Sequence, residues 1–280
     1  MSKYRLLHIF MLLSLGLAAQ TSDATSITDK VELIAKAELG FLAVADHKVQ
    51  FSESGTYFDY RRDGGQNVLF PISRLSLELQ FNDKNTFYLL YQPLRLETEV
   101  LLQDDLVVDD LTFPANTGVN LLYNFPFYRL SYTSEILKKN DRYGLAIGGS
   151  LQIRNATISF ESKDGTLFRT NRDVGLVPAF KIKGHASLSD RLFAELEADG
   201  IYAPVSYING SDNEVVGAIL DASLRLGLEF EQPVTAFFNL RYIGGGAVGT
   251  SDIDGPGDGY VRNWLHFVTV TAGFSYEFQF

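Results

Sequence analysis

Four histidines supply all the imidazole in this 280-residue chain, and an imidazole oriented by a carboxylate is the commonest general base a protein builds. His47, in AVADHKVQF, stands beside Asp46 at the start of a polar stretch, which makes it the catalytic candidate. A His in a loop next to an Asp is ordinarily a solvated turn, so a non-enzymatic reading leads. His8 lies in the first apolar run, His185 alternates with Lys181 and Lys183, and His266 follows Trp264 as part of an aromatic belt.

Carboxylates offer metal chemistry. SDIDGPGDGY sets Asp252, Asp254 and Asp258 among glycines, with some flavour of a calcium loop. It lacks the bidentate Glu that such a loop needs, because Asn263 stands at the twelfth position counted from Asp252. These three are the metal candidates, and a solvated loop is the plainer reading. Asp104, Asp105, Asp109 and Asp110 in QDDLVVDDLTF are read in the same way. Gly244–Gly246 with Gly249 has no lysine to make a phosphate loop, and Asn155-Ala156-Thr157 falls inside a strand pattern, so neither motif carries function. No cofactor is expected, and the net charge of −10 argues against a nucleic-acid partner.

Any such group needs a scaffold, and the scaffold signal is period two. In TAGFSYEFQF the rings of Phe274, Tyr276, Phe278 and Phe280 share one face while Ser275, Glu277 and Gln279 share the other. The same alternation predicts ten long strands near 31–45, 69–81, 86–102, 119–137, 143–160, 173–188, 192–206, 216–230, 234–249 and 264–280. Four short polar turns and five longer loops join them. In the third strand the apolar parity switches at Pro93, which predicts a bulge there. The fold class is therefore all-β: a single antiparallel transmembrane β-barrel of about ten strands.

Residues 1–24 carry Lys3 and Arg5, an apolar stretch from about Leu6 to Leu17, and then small residues, the pattern of a secretory signal peptide cleaved between 19 and 24. Residues 25–280 form the barrel. Cysteine is absent, so neither a lipid-attachment site nor a disulfide framework is available.

A closing strand with Phe274, Tyr276 and Phe278 leading to a final Phe280, behind a signal peptide, resembles Gram-negative outer-membrane β-barrel proteins. The resemblance implies an outer-membrane location, lipid and lipopolysaccharide as surroundings, and an assembly signal in those four rings read by the barrel-assembly machinery. For the acidic loops, divalent-cation bridging to lipopolysaccharide is the sharper alternative to a solvated loop. The alternation assigns Arg74, Glu78, Arg95, Glu97, Arg129, Arg154, Lys181, Lys183, Glu195, Glu197, Asp221, Arg225 and Arg241 to the lumen. Charges of both signs there read either as a salt-bridged plug or as a narrow polar pore, with the plug ahead. The functional expectation is a structural or surface barrel. The alternatives are a hydrolase acting on lipid or protein at the rim, and an adhesion or ligand-binding barrel working through its loops.

Overall fold

A strand leaves its backbone donors and acceptors to its neighbours, so long alternating strands must find partners on both edges. The computed structural model describes residues 31–278 except 83, 140–141, 205–214, 231–232 and 252–255. The described residues contain no helix and these strands: β1 (Val31–Phe51), β2 (Phe58–Asp59), β3 (Leu69–Phe81), β4 (Asn85–Gln92), β5 (Arg95–Leu101), β6 (Leu106–Val108), β7 (Leu111–Phe113), β8 (Gly118–Asn124), β9 (Phe127–Lys139), β10 (Tyr143–Ser162), β11 (Phe168–Ser187), β12 (Leu192–Pro204), β13 (Val216–Glu229), β14 (Val234–Thr250) and β15 (Tyr260–Phe278).

Ten of them close a ring. β1 pairs with β3, β3 with β4 and β4 with β9; the order then runs β10 to β15 in sequence, and β15 returns to β1. Every ladder is antiparallel, and the closing one runs from Leu33↔Phe278 to Phe51↔Val261. β5 and β8 continue β4 and β9 across the breaks at Pro93–Leu94 and Phe125–Pro126, pairing with each other while β8 also pairs with β10. Proline lacks the N–H that a ladder needs, which is why each interruption falls where it does. β2 adds to the free edge of β1, and β6 and β7 form a separate hairpin.

The barrel has two halves along its axis. In the half nearer the short turns, bulky apolar side chains point outward into open space, with Phe180 78% exposed and Leu39 71% exposed, while charged groups point inward. In the half nearer the long loops the outer wall differs around the ring, polar on β5 with Arg95, Glu97 and Glu99 exposed and apolar on β11 and β12 with Val174 and Tyr202 exposed, and the interior turns apolar. There Leu42, Val44, Phe70, Leu94, Leu96, Leu121, Phe160 and Phe267 pack inward as one apolar core, joined by Phe58, Tyr60 and the hairpin residues Leu106 and Phe113. Hydrocarbon around the apolar band and water around the polar upper wall of β5 is the physical condition under which these patterns are stable together.

This inversion corrects two expectations. Arg95 and Glu97 are not lumen groups: they pair with each other on the outer face, each more than half exposed. The strand keeps its phase past Pro93, with Tyr88, Leu90, Gln92, Leu94 and Leu96 all buried. The parity switch in the sequence therefore marks a change of surroundings and not a bulge. One irregularity lies in β1, between Val44 and Asp46, where the register with β15 shifts and the inward set passes from Glu38, Leu42 and Val44 to His47, Val49 and Phe51, and another lies between β9 and β10, at Leu145 and Ala146.

Candidate functional site

The lumen holds the densest polar cluster, because inward charges from seven strands converge there. Glu38 accepts from Arg74 at 3.1 Å, Arg225 at 3.3 Å, Asn239 at 2.8 Å and Thr271 at 2.7 Å. Asp221 takes a two-pronged contact from Arg241 and one from Arg129 at 2.8 Å, and Arg129 also reaches Asp199 at 2.9 Å. Lys181 bridges Glu197 and Asp199, and Arg225 also holds Glu195. Lys183 holds Glu78 and Glu195, each at 3.1 Å, and Lys36 meets Glu78 at 2.6 Å. Gln92 and Gln152 complete the set by accepting from Arg241 and Arg129.

Arg74, Arg129, Lys181, Asp199, Asp221, Arg225 and Arg241 are all buried. An open channel would wet them, whereas here each charge is covered by its opposite. Below this layer, toward the turns, lies a vestibule of about 170 Å³ lined by Tyr88, Lys183, His185 and Glu195. Arg154 sits apart, paired with Asp173 of β11, and both side chains are partly exposed.

His47 is not in a loop. It lies inside β1 past the bulge, fully buried, stacked on Tyr60 at 4.5 Å and edge-on to Tyr123 at 4.4 Å. Its Nδ1 meets Gln66 Oε1 at 2.8 Å, so that nitrogen carries the proton, and Asn263 neighbours the ring. Asp46 points to the other face and pairs with Lys48 at 2.8 Å. The catalytic expectation fails on this geometry: the imidazole has amides and phenols around it and no access to solvent, while its expected carboxylate faces outward. What the ring does is hold the loop of residues 58–66 against the barrel interior, assisted by the Tyr60 N–H donating to the His47 carbonyl.

Of the metal candidates, Asp252 and Asp254 lie outside the described residues. Asp258 uses its carboxylate on the protein itself, accepting from Ser52 Oγ at 3.0 Å, Glu53 N at 2.8 Å and Tyr260 N at 2.9 Å. The Glu53 and Tyr260 amides hold it below the usual carboxylate range. Among the described residues no three metal-ligating side chains converge. Phe274, Tyr276 and Phe278 face outward on β15 beside β1, and Phe280 lies outside the described residues.

No family model and no curated protein matches the sequence. Solved structures do. The outer membrane protease OmpT from Escherichia coli overlaps 92% of this chain and 99% of its own, at 14% identity and a TM-score of 0.49. The transport unit of the autotransporter AIDA-I from Escherichia coli covers 97% of both chains at 11% identity and a TM-score of 0.39. Ail, the attachment invasion locus protein of Yersinia pestis, covers 88% of this chain and 99% of its own at 10% identity and a TM-score of 0.34. The ring of ten paired strands described above fixes the fold without them.

Several interior residues escape a reading of the sequence. Tyr60, Gln66 and Asn263 meet His47 only after the loop after β1 folds back and β15 pairs with β1, so no local spacing announces them. Asn239, Thr271 and Gln152 have the inward parity, but an uncharged polar group on a strand looks the same whether it faces water or a buried carboxylate.

Proposed function

We propose that this protein is a closed, non-enzymatic barrel of a Gram-negative outer membrane, exported by residues 1–24 and presenting its loop half at the cell surface. One observation carries the reading. The interior is occupied along its length, first by a charge layer in which each cation meets a carboxylate and then by an apolar core beneath folded-back loops. That filling favours the plug over the narrow pore. The buried setting of His47 speaks against a hydrolase built on it. Outer-membrane lipid, lipopolysaccharide and the assembly machinery are the partners this reading implies, the last through Phe274, Tyr276, Phe278 and Phe280. The outward apolar band of the turn half is what lipid would cover, with ring pairs such as Tyr91–Tyr128 at one rim and Phe81–Phe87 at the other.

Planar-bilayer recording tests it directly. Refolded protein that migrates as a compact band before boiling is expected to give a silent bilayer, while removal of two linked plug charges, Arg129→Ala with Asp221→Ala, admits current. Discrete steps from the unaltered protein would overturn the closed-lumen reading.

A further inference from the structure

The outer wall is not uniformly studded with large side chains. Strand register aligns two neighbouring cross-strand rows of outward residues over β12 to β15: Tyr202, Ala218, Gly246 and Trp264 in one, and Gly200, Leu220, Gly244 and His266 in the next. In the first row two aromatic side chains stand at the ends with only a methyl group and a glycine between them. Strands lie about 4.8 Å apart, so the two rings flank a trough roughly 14 Å across.

The trough measures about 420 Å³ and is almost wholly apolar. Its smallness at the floor is enforced by backbone as well as composition. Gly246, in the first row, has a φ of +157°, and a Cβ there would stand 1.8 Å from the Asn263 carbonyl oxygen. A Cβ on Gly244 would strike the Tyr242 ring, which lies across that glycine with its hydroxyl 2.5 Å from His266 Nδ1. One row further toward the loops, on the same outward face, stands the exposed residue Arg262, its guanidinium over the Tyr57 ring at 4.5 Å.

We propose that this trough is a binding site for one acyl chain of a phosphate-bearing lipid of the outer leaflet, with Arg262 meeting the phosphate. This rests on the membrane-spanning reading above. The occupant follows from position: exposed Leu220 stands within the trough and exposed Leu224, Leu240 and Val270 continue the same outward face toward the apolar band, so hydrocarbon reaches it from the side. A depression between belt aromatics retains a chain that a flat leucine surface would exchange freely, because it offers contact on three sides. Arginine at the upper edge matches an anionic oxygen, and the Tyr242–His266 pair supplies polar groups at the depth where chain gives way to headgroup.

Trp264 is the chain's single tryptophan, so its fluorescence reports on the trough alone. The experiment places the folded protein in phosphatidylcholine nanodiscs and titrates either brominated-acyl phosphatidylglycerol or brominated-acyl phosphatidylcholine. Half-quenching by the phosphatidylglycerol is expected at a mole fraction roughly fivefold lower than random exchange of surrounding lipid requires. Ala218→Leu, which fills the floor, restores random exchange, and Arg262→Gln removes the preference between the two headgroups. Gly200→Val, where a Cβ meets nothing closer than 3.4 Å, serves as the second floor-filling variant. Quenching that follows bulk mole fraction for both lipids and is unmoved by either filling variant would overturn the site. So would protection of Trp264 from both lipids together with crosslinking between two copies. Quenching by aqueous iodide and by neither lipid would remove the membrane reading itself.

Discussion

Glu38 shows how a single residue can be costly and indispensable together. Its carboxylate is 2% exposed and serves two arginines, an amide and a hydroxyl, so its removal strips a counter-charge from two buried cations, leaving Arg225 with Glu195 alone and Arg74 with Glu197 at 3.8 Å. Glu38→Ala is expected to lower stability by about 3–5 kcal/mol, measured as an earlier loss of the compact band on heating or in urea, with Glu38→Gln losing less. Equal loss in the two variants would mean that the charge plays no part. At the other extreme Asp164, in the turn between β10 and β11, accepts from Ser162 Oγ at 2.6 Å, Thr166 N at 3.0 Å and Thr166 Oγ1 at 2.8 Å. The Ser162 hydroxyl, followed by the Thr166 groups, holds its carboxyl down at about 2, against an ordinary 3.8. A depressed carboxylate stabilises fully above its ordinary value and loses that contribution as pH falls through its folded one. Amide exchange at Thr166 should therefore quicken as pH drops from about 4 to about 2 relative to Asp164→Asn, in which the step is absent. A parallel trend in both proteins would assign the change to something else.

Among the elements, β4 and β5 carry the clearest test of the inversion. Because Arg95 and Glu97 face outward in the loop half, alanine at either is expected to change stability by less than about 0.5 kcal/mol. Leu96, 1% exposed between them, should not tolerate lysine: Leu96→Lys buries an unpaired ammonium and should abolish the compact band. The reverse pattern would put the charges back in the lumen. The strands themselves were legible in the sequence because alternation over a dozen residues admits few alternatives, and β3, at 69–81, falls where it was expected. Sidedness was not, since alternation says which residues share a face and not which solvent that face meets. Leu94 and Leu96 look identical to lipid-facing residues until the height of the strand above the apolar band is known. The bulge in β1 left no mark for a related reason: Ala45, at the shift, is compatible with either face.

For the whole molecule, closure of the ring is the governing event. β1 and β15 bracket the chain and form a ladder running from Leu33↔Phe278 to Phe51↔Val261. Deleting β15 exposes the facing edges of β1 and β14, and such a chain is expected to aggregate with no compact species on an unboiled gel; a compact, protease-resistant band would show that nine staves can close by themselves. Glu38 gains a further meaning at this scale. Its partners come from β3, β13, β14 and β15, the most distant of them 233 residues along the chain. Until the last stave arrives, that carboxylate lacks the Thr271 hydroxyl. The charge layer thus behaves as a checksum on folding, complete only when the order of staves is correct, and a chain paused short of closure differs chemically from a finished one at its centre.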